Sequence, residues 1–273
     1  MQFTPDEIMV VCIAHQIQDG ETVVQGLATP LVAVGYLLAR RTHAPHIYFA
    51  SAIGQSMCKR PAPMSLTRVE DLWLDNSLKD IGFTRVATQI LPSLRPKEFL
   101  RPAQVDPFGN TNNIAFGKNY LTSSNHQARL RLPGSGGIPD VTTFMHQFCL
   151  YVPRHSKLTF VPQLDVCSGL GYTSERKQGS GPVYLVTDLG QFDFADGRMR
   201  LTTFHPGVTI EHIRARTGFE LDLAPDVHET PPPTQEETRL LREELDPMNI
   251  RQLELLSGAS RRQLLEEILA EEQ

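Results

Sequence analysis

The sequence lacks the features that mark several classes of protein. Its four cysteines lie far apart and form no CxxC pair, so a structural zinc site is not expected. A protein without paired cysteines is expected in a reducing compartment, namely the cytoplasm. A formal net charge of −5 offers no basic surface for nucleic acid. The most apolar segment, residues 23–39, contains a proline and polar residues and is too short to span a bilayer comfortably. The amino terminus has no basic segment followed by an apolar block, so no secretory signal is expected.

Common catalytic motifs are missing as well. No HExxH, GxSxG or HxH pattern occurs, and the scattered histidines predict no metal site. His205 precedes a Pro-Gly pair and is interpreted as a loop cap rather than a base. Cys58 lies in a polar loop without a nearby partner in the sequence, so it is interpreted as a free structural thiol. An enzymatic function therefore has to rest on other residues.

The amino-terminal part has the pattern of a strand, a helix and a second strand. Residues 21–25 form a short strand with two adjacent valines. Thr29 is predicted to cap a helix that Pro30 begins and that runs to about Arg41. Residues 47–50 form the next strand. Such a βαβ unit is normally right-handed and belongs to a parallel sheet.

Further helices and strands are predicted along the chain. A helix runs from Pro5 to about Gln18, and another is capped by Thr209 and ends at Thr217. In the second half of the chain, buried strands are expected at residues 148–152, 158–162 and 183–187. A terminal hairpin is expected from residues 191–194 and 201–204. A capping box begins at Thr234, and two amphipathic helices follow it at about residues 249–256 and 260–272.

The tip of the second strand raises a question about catalysis. Catalytic groups of α/β proteins often lie where a parallel strand ends. The stretch after Ala50 reads Ser51, Ala52, Ile53, Gly54. It offers one hydroxyl group but no carboxylate, histidine or cysteine. The tip is therefore either a simple turn or an active site that lacks its usual residue.

Two loops are candidates for binding a ligand. The first is the glycine-rich run Gly134, Ser135, Gly136 and Gly137. Backbone N–H groups in such a run, placed before a helix, are suited to hold a phosphate, a carboxylate or a thioester oxyanion; the alternative is a flexible turn. In the second loop, Asn110 and Asn112 either position a substrate or belong to an Asx-rich turn.

Seven stretches together give the chain a resemblance that none of them gives alone. In chain order they are GLATPLVAVGYLLARRTHAPHIYF (Gly26–Phe49), QVDPFGNTNNIAFG (Gln104–Gly117), LPGSGGIPD (Leu132–Asp140), VCSGLGY (Val166–Tyr172), VTDLGQFDF (Val186–Phe194), HPGVTIEHIRARTGFEL (His205–Leu221) and PPTQEETRLLREELDP (Pro232–Pro247). With these stretches the chain resembles the β subunit of the family I CoA-transferases, of the glutaconate CoA-transferase type. The resemblance covers most of residues 21–247.

The resemblance carries expectations about fold and assembly. It implies an α/β fold with an open, mostly parallel Rossmann-like sheet and a C-terminal helical extension. A CoA-transferase β-subunit-like domain is expected over residues 1–247 and an amphipathic helical tail over 248–273. The tail either docks on a partner subunit or packs on its own domain. A second, similar α subunit is also implied, in an αβ or α2β2 assembly, with the active site between the two subunits.

The resemblance also answers the question raised by the strand tip. Transferases of the family place a glutamate there, which attacks the acyl-CoA thioester, and Ser51 stands at its position. A family active site without its nucleophile is implied. The residues implied to bind substrate around Ser51 are Ala52, Gly54, Asn110, Asn112, Gly134, Ser135, Gly136 and Gly137. No metal and no permanently bound cofactor is expected, since the CoA thioester is the substrate.

Relatives without this glutamate carry out other acyl-CoA chemistry. The stretches VCSGLGY, VTDLGQFDF and ELDP are most similar to the β subunit of the steroid ring-opening hydrolase, whose α partner supplies the catalytic carboxylate. Another group decarboxylates a glutaconyl-type CoA and has a cysteine at the tip. The resemblance therefore implies a catabolic, heteromeric enzyme that acts on an acyl-CoA without glutamyl-CoA transfer. Two alternatives stay open: a true CoA-transferase with a relocated or partner-supplied carboxylate, and a non-catalytic acyl-CoA-binding subunit.

Overall fold

The chain divides into two compact units. A computed structural model describes residues 3–26, 29–51, 56–58, 60–117 and 129–273. The units are assembled from separate stretches of sequence: Met1–Val86, Pro96–Phe99 and Pro231–Gln273 for the first, and Ala87–Arg95 and Leu100–Thr230 for the second. Because the carboxyl-terminal stretch belongs to the first unit as a whole, residue 247 is not a boundary between compact units.

The sheet of the first unit is parallel at its centre and antiparallel at one edge. Strand β1 (Thr22–Gln25) pairs in parallel with β2 (Tyr48–Ser51) on one side and with β5 (Lys97–Leu100) on the other. Beyond β2, the strands β3 (Ser56–Cys58) and β4 (Ser77–Asp80) continue the sheet in antiparallel pairs. Val23 and Val24 are buried in β1, as expected for a strand covered on both faces.

Two helices of the first unit pack closely on each other. α1 (Pro5–His15) ends one turn earlier than the predicted limit at Gln18. α2 (Pro30–Thr42) begins at the predicted proline and connects β1 to β2, which confirms the predicted βαβ unit. The helices meet at Gly35, where a Cβ atom would lie 2.6 Å from Cγ2 of Ile13. A side chain at this position would push the two helices apart.

The sheet of the second unit is built around an antiparallel hairpin. β11 (Pro182–Thr187) pairs in parallel with β10 (Phe148–Val152) and in antiparallel fashion with β12 (Gly190–Ala195). β12 and β13 (Arg198–Phe204) form the predicted hairpin. β14 (Asp222–Glu229) then pairs in parallel with β13, so the hairpin does not end the sheet. Both sheets are open, and the predicted α/β class is confirmed.

Shorter elements complete the described chain. Two small antiparallel ladders join β6 (Gln104–Val105) to β7 (Thr111–Asn112) and β8 (Ala115–Phe116) to β9 (Leu130–Arg131). The short helices are α3 (Val69–Leu74), α4 (Phe83–Arg85), a π-helical segment (Val86–Ile90), α5 (Leu91–Leu94), α6 (Ile138–Phe144) and α7 (Ile210–Arg216). α7 begins after the predicted cap Thr209, whose side chain accepts a hydrogen bond from His212 N.

One predicted strand is wrong. Residues 158–162 contain no strand, because the backbone N–H of Phe160 donates to Ser156 O at 2.8 Å and closes a turn. Only an isolated bridge to Val105 remains there. The Phe160 ring is fully buried and stacks on the imidazole of His155, with 3.7 Å between ring centroids. The apolar residues of this segment therefore fill the core without joining a ladder.

The carboxyl-terminal segment is helical and packs on its own unit. Its elements are α8 (Gln235–Arg239), a π-helical turn (Leu240–Leu245), a 3-10 helix (Ile250–Glu254) and α9 (Gly258–Glu271). The predicted capping box is present, since Thr234 N donates to Glu237 Oε2 at 2.7 Å and Glu237 N to Thr234 Oγ1 at 3.1 Å. Residues after 247 share an apolar cluster with the loop before α3; its members are Met64, Leu66, Met248, Ile250, Leu253, Leu264, Leu265 and Ile268.

A buried ion-pair network joins this segment to α1. Arg251 is 1% exposed, and its Nε lies 2.7 Å from Asp6 Oδ2 while its Nη1 lies 2.9 Å from Asp246 Oδ2. Arg242 Nε lies 2.6 Å from Glu7 Oε1 at the next position of the helix. The network ties the first and last stretches of the chain together. Among the described residues, no helix is both long and apolar enough to cross a membrane.

Candidate active site

The predicted site residue Ser51 is the last residue of β2. Its side chain is buried, and in the parallel register it lies beside Gln25, the last residue of β1. Ligands of open α/β sheets bind outside the carboxyl ends of parallel strands, so Ser51 lies at such an edge. Gln25 is buried as well, and its Oε1 has no hydrogen-bond partner among the described residues. The predicted residues Ala52 and Gly54 lie outside the described residues.

A carboxyl group from the neighbouring strand lies at the same edge. Glu98 of β5 is paired with Val24 of β1, one residue before the carboxyl end of that strand. Only 5% of the residue is exposed. A Cβ atom built on Gly26 would lie 3.5 Å from Glu98 Oε1, so the carboxyl group reaches beyond the end of β1.

Burial controls the ionisation of Glu98. The loss of hydration raises the pKa of its carboxyl group to about 8. Its Oε2 has no hydrogen-bond partner in the part of the chain that the structure describes. At neutral pH the group therefore holds a proton and can donate it to a nearby oxygen or carbanion.

Gly26 and Thr29 lie between β1 and α2, close to Glu98. Thr29 Oγ1 donates to Gly26 O at 3.3 Å, and the backbone N–H of Leu31 donates to Glu254 Oε1 at 3.0 Å. Glu254, which is also buried, thus occupies one of the free N–H groups of the first turn of α2. This carboxylate has a structural partner, in contrast to Glu98.

The glycine-rich run belongs to the second unit. Gly134, Gly136 and Gly137 have φ angles of 122°, 54° and 91°, which only glycine adopts easily. Gly137 is the N-cap of α6, a helix of seven residues. The N–H of Ile138, at the start of this helix, donates to Ser135 O at 3.0 Å. The run has the geometry of a tight turn, and its role in binding stays a prediction.

Asn110 and Asn112 hold a turn together. Asn112 is fully buried, and its Nδ2 donates to Gln104 Oε1 at 2.7 Å and to Ala115 O at 2.8 Å. Asn110 Nδ2 donates to Asp106 Oδ2 at 2.9 Å, while its Oδ1 accepts from Gly171 N at 2.8 Å. These contacts agree with the Asx-rich turn, and a role in substrate binding stays a prediction.

The other titratable groups singled out in the sequence are structural. Cys58 is buried in β3, and burial raises the pKa of its thiol, which makes it a poor nucleophile. His205 is buried, with Nε2 2.9 Å from Thr187 O and Nδ1 3.1 Å from Thr230 Oγ1. Burial lowers its pKa to about 4, so it stays neutral. In the described part of the chain, no group of three or more potential metal ligands is present.

Sequence reasoning missed Glu98. The segment around it contains several prolines and offers no clear period, so neither β5 nor a buried side chain in it is predicted. The available signal was a single carboxylate in the short stretch Lys97–Leu100, next to two apolar residues. Because a charged side chain is rarely fully buried without a partner, this carboxylate is expected at the surface rather than in a buried site.

Comparisons with curated proteins find similar chains among subunits of a CoA-transferase and of a hydrolase. No family model matches the sequence. The chain is 30% identical to the β subunit of glutaconate CoA-transferase of Acidaminococcus fermentans, over 90% of this chain and 93% of that protein. It is 31% identical to the cholesterol ring-cleaving hydrolase IpdB subunit of Mycobacterium tuberculosis, over 93% of this chain and 99% of that one.

Solved structures have the same fold. The crystal structure of glutaconate coenzyme A-transferase from Acidaminococcus fermentans is similar with a TM-score of 0.79 and 26% identity, over 94% of this chain and 99% of that chain. The decarboxylase AibA/AibB is similar with a TM-score of 0.77 and 29% identity, over 91% of this chain and 97% of that chain. The similar proteins thus include a transferase, a hydrolase and a decarboxylase.

Proposed function

Because this chain belongs to the family of CoA-transferase β subunits, we propose that it is the β subunit of a heteromeric enzyme that acts on an acyl-CoA. The observation that carries the reaction class is Ser51 at the carboxyl end of β2. At this position the family's transferases have the glutamate that forms the covalent intermediates. A serine hydroxyl has no carboxyl group and cannot form the glutamyl-CoA thioester of that mechanism. The chain therefore works by hydrolytic cleavage or related C–C chemistry rather than by glutamyl-CoA transfer.

An α subunit of the same family completes the enzyme. The similar proteins belong to enzymes of two different chains, namely glutaconate CoA-transferase, the hydrolase that contains the IpdB subunit and the decarboxylase AibA/AibB. The CoA thioester is the substrate and not a resident cofactor. All four cysteines are free thiols, which agrees with an enzyme of the reducing cytoplasm.

Mass spectrometry of the purified complex tests this function. A tag on this chain is used to purify it with its α partner, and the complex is incubated with a panel of acyl-CoA thioesters, with and without a free carboxylate acceptor. We expect consumption of one thioester class, a hydrolysed or decarboxylated product, and an unmodified mass for this chain.

Two results would contradict the proposal. A CoA thioester on a carboxylate of this chain, together with acceptor-dependent CoA transfer, would make the complex a true transferase. Tight binding of CoA without turnover of any thioester would instead identify a non-catalytic acyl-CoA-binding subunit.

A further inference from the structure

We propose that Glu98 is a catalytic acid–base residue of this chain, which exchanges a proton with the acyl part of the CoA thioester at the carboxyl end of β1. The inference rests on the proposed function and adds a residue to it. In the ring-opening relatives the catalytic carboxylate comes from the α partner, and the inference adds a carboxyl group from this chain. The argument rests on the position of Glu98 in the sheet, on its burial and on its lack of a partner.

The position of Glu98 points its carboxyl group toward the edge where substrates bind. Side chains alternate between the two faces of a strand, so Glu98 shares a face with its register partner Val24 and with Gly26. Ser51 and Gln25 project from the opposite face. The proximity of Glu98 Oε1 to Gly26 shows that the carboxyl group extends along the strands to their ends. Because Gly26 has no side chain, Glu98 and Thr29 approach the backbone at the end of β1: a Cβ atom there would lie 3.5 Å from Glu98 Oε1 and 3.6 Å from Thr29 Cγ2.

Other buried carboxylates of the described residues have structural partners. Asp6 and Asp246 pair with Arg251. Glu254 accepts from the backbone of α2. Glu7 pairs with Arg242. Among the buried carboxylates of the described chain, only Glu98 has a buried oxygen without a hydrogen-bond partner.

An unpartnered buried carboxyl group destabilises a fold and is characteristic of active sites. The charged groups on the elements packed around Glu98 are engaged elsewhere. Lys97 Nζ, at the preceding position of β5, lies 2.8 Å from Glu21 Oε2 and also donates to Gln16 O. Glu254 is bound to the start of α2. Burial alone, with no charged neighbour opposing it in the described chain, keeps Glu98 protonated at neutral pH.

A proton on Glu98 suits the cleavage of a carbon–carbon bond in a thioester substrate. Water adds to a ketone carbonyl carbon β to the thioester, and the bond from this carbon to the α carbon breaks, leaving its electron pair on the α carbon as the enolate carbanion of the thioester. The O–H bond of Glu98 breaks as its proton moves to this carbanion. The attacking water supplies the proton that restores Glu98, so atoms and charge balance with water as the only co-reactant.

The test uses the complex of this chain with its α partner and compares the wild type with Glu98→Gln. We expect kcat to fall about 10²-fold or more, as general acid catalysis is lost, with little change in KM. The wild-type kcat should decline above pH 8, where Glu98 loses its proton, and this decline should be absent from the residual activity of the variant. Asp188→Asn is the matched control, because Asp188 is a carboxylate whose pKa burial raises to about 6 but which has a structural partner.

The outcomes separate this inference from the proposed function. If the wild type turns over a thioester and Glu98→Gln has the same kcat and pH profile, Glu98 has no catalytic role and the proposed function stands. A CoA adduct on Glu98 would overturn the acid–base assignment in favour of a nucleophile. If the wild type neither binds CoA nor turns over a thioester, both proposals fail.

If Glu98→Gln does not assemble with the α partner, Glu98→Asp is the second variant to measure. We expect Glu98→Asp to have a reduced kcat and to retain the decline of kcat at high pH. An unchanged kcat would refute the inference.

Discussion

Arg251 and Asp6 form a buried ion pair across 245 positions of sequence, with 2.7 Å between Nε and Oδ2. Asp246 shares the same guanidinium group. Removing one member of such a group leaves the others charged and without compensation in a medium of low dielectric. The loss of stability that follows removal of Arg251 therefore measures how strongly the ion-pair network holds the carboxyl-terminal segment to α1.

We expect Arg251→Met to lower the free energy of unfolding by about 3–5 kcal/mol. Urea unfolding followed by circular dichroism measures this loss. Arg41→Met is the matched control, since Arg41 pairs with Glu244 at 3.2 Å on the surface, and its loss should cost less than about 1 kcal/mol. Equal effects of the two substitutions would contradict a buried, tightly coupled network.

The apolar cluster of α9 predicts that the last helix stabilises its own unit. Ile268 is 2% exposed and packs with Ile250 and Leu253. Ile268→Ala should cost about 2–5 kcal/mol, measured on the chain without its α partner. Leu269→Ala, at a half-buried position outside this cluster, should cost clearly less. If Ile268→Ala changes only the assembly with the α subunit and not the stability of the free chain, the helix serves as a docking element instead.

The burial of Glu98 predicts a pH-dependent stability. Its carboxyl group has a pKa of about 8 in the folded chain against an ordinary value of 4.5, so the folded state binds the proton more tightly than the unfolded state. The contribution of Glu98 to the free energy of unfolding is therefore highest below pH 4.5, and it falls as the pH rises from 4.5 through 8. Unfolding in urea at several pH values should show this fall in the wild type and a flatter profile in Glu98→Gln. A wild-type stability that rises across the same window, with no difference from the variant, would refute a raised pKa.

The serine at the tip of β2 predicts a modest effect of Ser51→Ala on the reaction. Glu98 projects from the other face of the sheet and is not placed to act as the base for this hydroxyl. We expect kcat of the complex to fall less than about tenfold, below the loss that follows removal of a general acid–base group. Loss of all activity, together with an acyl group trapped on Ser51 in the wild type, would make the serine a nucleophile.

Local signals predicted the part of the fold that precedes the site. Pro30 favours the start of α2 because a proline at the first helical position costs no hydrogen bond. Thr29 is the N-cap residue, but its side chain forms no cap hydrogen bond and donates to Gly26 O instead. The short apolar runs on either side then become β1 and β2, and Ser51 falls at the strand end. The capping box at Thr234 was equally local and equally reliable.

Features that depend on distant residues were not predictable in this way. β14 contains Pro225 and several charged residues, and it becomes a strand only because β13 offers it an edge. The apolar run around Phe160 has the pattern of a strand, but Phe160 is buried because its ring stacks on the imidazole of His155. Glu98 could not be recognised as a candidate, because its carboxyl group is buried against β1 and Gly26, more than seventy positions earlier.

The interrupted sequence of the first unit has a consequence for the order in which the chain folds. Its last stretch begins at Pro231 and supplies Arg251, Glu254 and Ile268, which bind α1, α2 and the loop before α3. During synthesis these residues leave the ribosome after all of the second unit, so the unit that contains the strand ends of β1 and β2 cannot close before they emerge. The second unit is nearly continuous, from Leu100 to Thr230, and is free to fold earlier. The unit that holds Ser51 and Glu98 is thus completed after the other unit. A chain cut short before its 3-10 helix and α9 is left with exposed apolar surface for quality control to recognise.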